Sequence, residues 1–137
     1  MSVHHKYMHF ADVVERNALA NPIRRSCAKR TVACVGAIND KIIIVAINMH
    51  ATTCDCHLFT DTDSPNAQHA EIPVLNSQCD TLYVTYQPCI NCAKQIVAKG
   101  CVRAVFYRDQ DSKADTASIE LLQSHGIYVS NQWLKQK

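Results

Sequence analysis

The chain has 137 residues, 47% of them apolar and only three of them glycine, which suits one domain with a real core and excludes a disordered or low-complexity chain. Fourteen Lys and Arg against twelve Asp and Glu leave a net charge of +2, so no broad basic footprint is evident and nucleic acid is not an expected partner. Met1 to Lys6 leads into polar sequence, and no apolar run approaches the roughly 18 residues of a membrane span, so the chain is expected to be soluble, cytoplasmic and without a membrane partner.

Tyr7, Phe10, Ala11, Val14 and Ala18 recur at helical spacing until Asn21-Pro22, which predicts a first helix. Val32 to Ile38 and Lys41 to Asn48 are apolar and rich in β-formers. Asn39-Asp40 between them predicts a hairpin, although this pair is a weaker turn signal than Asn-Gly. Ala51 to Asn66 reads as a loop. A short helix is expected from His69 to Asn76, a strand from Thr81 to Tyr86, and a helix from Cys89 to Lys99 closed by Gly100. Val102 to Tyr107 is the next expected strand, Ala114 to Ser124 a helix closed near Gly126, and Ile127 to Ser130 a last strand.

That order predicts a single three-layer α/β/α domain over residues 1–137 with a five-stranded mixed sheet. Its first two strands would be antiparallel and the later ones parallel, because strand and helix then alternate.

Eight cysteines are many for such a chain, and without a secretion signal thiolate–metal chemistry is a better reading than disulfides. Cys34, Cys79 and Cys101 fall where core or edge thiols are expected. Cys89 and Cys92, three residues apart at a predicted helix start, present both sulfurs to one ion, and the helix N-terminus favours their thiolates. His69 supplies a nitrogen donor from another helix. Glu71, two residues on, carries a carboxylate that need not be a ligand.

Three protein ligands leave a catalytic zinc one position for water, whose pKa it lowers to about 7, and Glu71 is then the candidate proton shuttle. A lone Cys-x-x-Cys equally suits a structural zinc or a redox pair, and a lone His-x-Glu says little. His69-Ala70-Glu71 followed by Pro88-Cys89-Ile90-Asn91-Cys92 is the combined pattern of zinc-dependent nucleobase deaminases.

With these residues placed, the chain resembles the cytidine deaminase superfamily, and within it the deoxycytidylate (dCMP) deaminases. Leu82 to Thr85 ahead of Pro88 to Ile96 is similar to that family's strand and second zinc motif, and Ser26 to Val32 to its segment entering the first strand. The resemblance implies a cytidine deaminase-like fold, one catalytic zinc and hydrolysis of a cytosine nucleotide such as dCMP to dUMP and ammonia. It also implies a homo-oligomer, commonly a hexamer, in the host-cell cytoplasm if the chain is phage-encoded. By the same resemblance Asn48 contacts the sugar or base edge, Ala70 lines the substrate site, and Arg30 lies near the phosphate or the entrance. Arg30 equally fits a solvated basic cluster with Arg24, Arg25 and Lys29.

Arg108 either serves a phosphate or pairs on the surface with Asp109 or Asp111. Some phage-type members carry a second, structural zinc bridging the loop after the second strand. Cys27, Cys54, Cys56 and His57 are its candidate ligands here, the alternative being free thiols and an exposed histidine. Two departures stand out. Asn48-Met49 replaces the family's Asn-Gly, and Pro73 follows the His-Ala-Glu motif, where a helix interior would lose about 3 kcal/mol and a first turn little. The remaining rivals are a deaminase of another nucleoside, base or polynucleotide, and a structural zinc module without catalysis.

Overall fold

The computed structural model describes residues 3–19, 32–47, 49–50, 67–109 and 116–131. Asn48, Arg30, Cys27, Cys54, Cys56, His57 and Asp111 lie outside the described residues. The described elements are α1 (Val3–Leu19), β1 (Ala33–Ile38), β2 (Lys41–Ile47), β3 (Met49–His50), β4 (Ala67–Gln68), α2 (Glu71–Leu75), β5 (Thr81–Tyr86), α3 (Ile90–Lys99), β6 (Ala104–Asp109), α4 (Ala117–Ser124) and β7 (Tyr128–Ser130).

Five strands form one mixed sheet in the order β2-β1-β5-β6-β7. β1 is antiparallel to β2 and β5, while β5, β6 and β7 run parallel. The parallel strands are those joined by α3 and α4, as the alternation of strand and helix requires. β3 and β4 pair separately as a two-stranded ribbon. Their two-residue length gives no periodicity for sequence to reveal.

The hairpin turn at Asn39 and Asp40 has φ of 52° and 63°, the left-handed pair of a type I′ turn. Asn and Asp tolerate that region better than other side chains. The turn is tied down from three directions. Asn39 N–H donates to Asp80 Oδ2 at 3.1 Å, Asp80 N–H donates to the Ala37 carbonyl, and the Tyr7 hydroxyl donates to the Asp40 carbonyl.

Side chains alternate across the sheet with period two. Cys34, Leu82, Val84, Val105 and Tyr107 face α2, α3 and α4, where they meet Val74, Leu75, Ala93, Ile96 and Leu122. Val35, Ala37 and Tyr83 face the other way, against Met8 and Ala11 of α1. The buried stripe of α1 is Met8, Ala11 and Glu15, so Phe10, expected inside, is 39% exposed. His4 is exposed yet stacks on Phe106 at 4.3 Å and hydrogen-bonds the Tyr83 hydroxyl at 2.7 Å. No helix among the described residues is long and apolar enough to cross a membrane.

Several boundaries differ from expectation. β6 starts at Ala104 rather than Val102, because the Asp80 carbonyl accepts from both Arg103 and Ala104 N–H and fixes the entry there. It continues to Asp109, where the carbonyl accepts Gln87 N–H at 2.8 Å. α4 begins after Thr116, three residues later than the apolar pattern suggested.

Gly36 sets how closely α2 approaches β1. A Cβ there would lie 2.5 Å from Val74 Cγ1, 3.0 Å from Ile44 Cγ2 and 3.2 Å from Cys79 Sγ. Val74 is β-branched and fully buried, so it has no spare rotamer to yield. Gly36→Ala should therefore destabilise the protein by about 1–3 kcal/mol, as overpacking does, and adding Val74→Ala should recover part of that loss. Urea denaturation of the two single variants and the double variant checks this. Simple addition of the two losses would contradict it.

Candidate active site

α2 and α3 lie on the same sheet face, and each begins beside the other's first turn. In an open α/β sheet the carboxyl ends of parallel strands are where ligands bind. β5 ends at Tyr86, and Gln87-Pro88-Cys89 leads from it into α3. Cys89 is not the first helical residue but the N-cap, with φ −73° and ψ 169°. Its sulfur accepts the backbone N–H of Cys92 at 3.4 Å, the role a Ser or Asp oxygen usually fills. The cap leaves both sulfurs on one side of the first turn. Gly100, left-handed at φ 73°, closes the same helix.

His69 stands just ahead of α2. Its Nδ1 is 3.2 Å from Cys92 Sγ and 3.6 Å from Cys89 Sγ. The three ligand atoms all lie within 4.8 Å of one another. Pro73 is the third residue of α2, so it falls in the first turn, where the missing N–H costs little. The His69 carbonyl, which Pro73 cannot serve, accepts Ile72 N–H at 3.1 Å instead. Ala70 is the N-cap of α2 and fully buried.

The two thiols are unlike. Cys92 is buried and Cys89 is the more exposed. A hydrogen bond from the Cys92 thiol, with further donors from His69 and the Cys92 N–H, holds Cys89 well below the ordinary thiol range. Cys92 moves the opposite way, because it keeps the shared proton and is buried beside Glu71. A metal binding here must expel that proton.

Glu71 is 3% exposed, and its Oε1 has no hydrogen-bond partner among the described residues. Burial pushes its pKa up from 4.5 to about 7, opposed by its backbone N–H and by His69. Cys34 lies in the same core, buried, with its thiol raised by burial and then by the charge of Glu71. One imidazole nitrogen and two sulfurs form a borderline-soft, three-donor set that suits zinc. The orphaned carboxylate oxygen of Glu71 lies outside that three-atom donor set, as suits a group that moves protons rather than one that binds the ion.

Arg108 takes the surface-pair alternative, and more of it than expected. Its guanidinium meets Asp12 at 2.5 Å, Glu15 at 2.8 Å and Asp109 at 2.7 Å. Its pKa is raised, first by the hydrogen bond to Asp109 and then by Glu15. Three carboxylates around one cation leave no net positive charge for a phosphate. Asp12 and Glu15 were not singled out in the sequence. The available signal was Glu15 four residues after Ala11, on the buried stripe, since a carboxylate there needs a cation.

A family model described as the cytidine and deoxycytidylate deaminase zinc-binding region matches residues 1–108. No curated protein sequence matches the chain. Among solved structures, the dCMP deaminase of the cyanophage S-TIM5, in complex with dCMP and dUMP, is similar with a TM-score of 0.71 and 26% identity, over 91% of this chain and 93% of that one. A diaminohydroxyphosphoribosylaminopyrimidine deaminase/5-amino-6-(5-phosphoribosylamino)uracil reductase of Thermotoga maritima is similar with a TM-score of 0.64 and 20% identity. It is covered over 37% of its own length by 98% of this chain, and at that identity the similarity extends to the fold alone.

Glu71 makes the metal-free protein sensitive to pH. Its folded pKa of about 7 exceeds the ordinary 4.5, so the folded state holds the proton more tightly than the unfolded state. That stabilisation is complete below pH 4.5 and is lost as the pH rises through 7, a change of about 3 kcal/mol. Glu71→Gln cannot titrate and should lack this component. Denaturation of metal-free protein between pH 5 and 8 should show wild-type stability falling relative to Glu71→Gln. Parallel curves would contradict the assignment.

Proposed function

This chain belongs to the zinc-binding cytidine and deoxycytidylate deaminase family, and from that premise we propose that it converts dCMP and water to dUMP and ammonia. The observation that carries the reading is a buried carboxylate, Glu71, with one oxygen that has no hydrogen-bond partner among the described residues, set beside the convergent His69, Cys89 and Cys92. The similarity to a dCMP deaminase crystallised with dCMP and dUMP supports the choice of substrate. In this reading residues 1–137 make one deaminase domain.

His69 Nδ1 and the sulfurs of Cys89 and Cys92 would hold the zinc. Zinc, when bound, supplies a Lewis acid that ionises a water near neutral pH. Glu71 takes a proton from the attacking water and delivers it to N3 of the cytosine ring as oxygen adds to C4. It then takes the remaining proton from the hydroxyl on C4 and passes it to the leaving amine, so that the C4 carbonyl forms as the C4–N bond breaks and ammonia departs. Burial favours the protonated form of Glu71 in the metal-free protein, and that is the form that donates to the ring nitrogen and to the leaving amine.

Asn48, at the substrate sugar or base edge, and Arg30, near the phosphate or the site entrance, are the proposed substrate contacts, carried by the family resemblance. Arg108, already neutralised by carboxylates, serves instead to tie α1 to the sheet. A homo-oligomer accords with the exposed apolar side chains Ile43 and Val45 on the edge strand β2. A phosphorylated nucleotide substrate accords with a cytoplasmic location.

Purified protein incubated separately with cytosine, cytidine, deoxycytidine, CMP, dCMP and dCTP should release ammonia fastest from dCMP. No release from any would defeat the enzyme reading, and equal rates with deoxycytidine would defeat the nucleotide reading. Glu71→Gln should lose about 10²–10⁴-fold in turnover while keeping its zinc, measured by atomic absorption. Retained turnover would remove Glu71 from the chemistry.

A further inference from the structure

The cysteine-bearing turn hangs from a polar contact that the deamination chemistry does not use. Gln87 is 6% exposed and sits between the last residue of β5 and the fully buried Pro88. It is held from two sides. Its backbone N–H donates to the Asp109 carbonyl at the end of β6, at 2.8 Å. Its side-chain amide donates to Ser118 Oγ on the first turn of α4, at 3.2 Å. Ser118 is itself only 3% exposed.

An amide and a hydroxyl buried between α3 and α4 cost stability unless they bond each other, and an apolar pair of the same size would fill the space without that demand. Gln87 is two residues from Cys89, with only Pro88 between them. Proline fixes one backbone torsion, so displacement of Gln87 passes to Cys89 with little slack. Ser118 is a support supplied by α4.

We propose that the Gln87–Ser118 hydrogen bond is a clamp that positions Cys89, so that zinc retention depends on a side chain of α4. Gln87 and Ser118 are positioning residues in this account. The inference rests on the zinc reading above. A ligand sulfur must be placed to within about half an ångström, and loss of a group that orients a metal ligand typically costs about 10–100-fold in affinity.

The test uses zinc-loaded protein and follows zinc transfer to a chromogenic chelator at pH 7.5. Cys89→Ser defines which zinc belongs to this site. Ser118→Ala and Gln87→Leu should each release it about tenfold faster than wild type. The double variant should release it no faster than Gln87→Leu alone, because both changes break one bond. Met8→Ala, buried in α1 on the other face of the sheet, controls for destabilisation and should release zinc at the wild-type rate. Wild-type rates in both clamp variants would overturn the proposal, as would equal acceleration by Met8→Ala. A wild-type chain that takes up no zinc would defeat the metal reading itself. Normal uptake with unmoved release would defeat the clamp alone.

Discussion

The site depends on two helix starts being brought to one point on one face of the sheet. α2 delivers His69 and Glu71, and α3 delivers Cys89 and Cys92, and neither helix alone offers more than two of the four groups. Their approach is limited by packing. Gly36 lets Val74 sit against β1, and Val74 is only three residues beyond Glu71. On the α3 side the cap formed by the Cys89 sulfur orients the first turn. Backbone packing therefore fixes the donor geometry before any ion is present, which is the condition for a metal site that keeps one position open.

The two faces of the sheet do different work. One carries the site and the larger apolar cluster. The other is covered by α1, whose far end is fixed by Arg108 between Asp12 and Glu15. Removing a single partner from such a partly buried network leaves uncompensated charge, so the cluster specifies where α1 lies more than it adds net stability. It also explains why a cation at the carboxyl end of β6 is not available to an anionic substrate. Glu15 Oε2 has no partner among the described residues, and the cluster holds more carboxylates than its cations can fully serve.

Much of this was legible in the chain. The strand Thr81–Tyr86 was legible as a run of β-formers bounded by Asp80 and Gln87-Pro88; it is buried on both faces, and its limits match the structure. The hairpin was legible because only two residues, both tolerant of left-handed backbone, separate two apolar runs. His69, Glu71, Cys89 and Cys92 stood out because their spacing has a chemical reason. The stripe of α1 was misjudged by about one residue, since Phe10 mimics a core position and Glu15 does not. The same cause hid the Arg108 network, because an ion pair between residues 96 apart leaves no local pattern. Gln87 and Ser118 were equally silent, since a buried polar pair can be recognised only once both residues are in place. Pro73 would disrupt only a helix interior, and a helix start two residues later than expected places it in the first turn, where it is harmless.

The most direct measurement is anomalous diffraction at the zinc absorption edge from crystals of the zinc-loaded protein. The account predicts a peak about 2.0–2.3 Å from His69 Nδ1, Cys89 Sγ and Cys92 Sγ, with a solvent oxygen in the fourth position within reach of Glu71. A peak there with a fourth protein ligand, or no peak among these three residues, would contradict it.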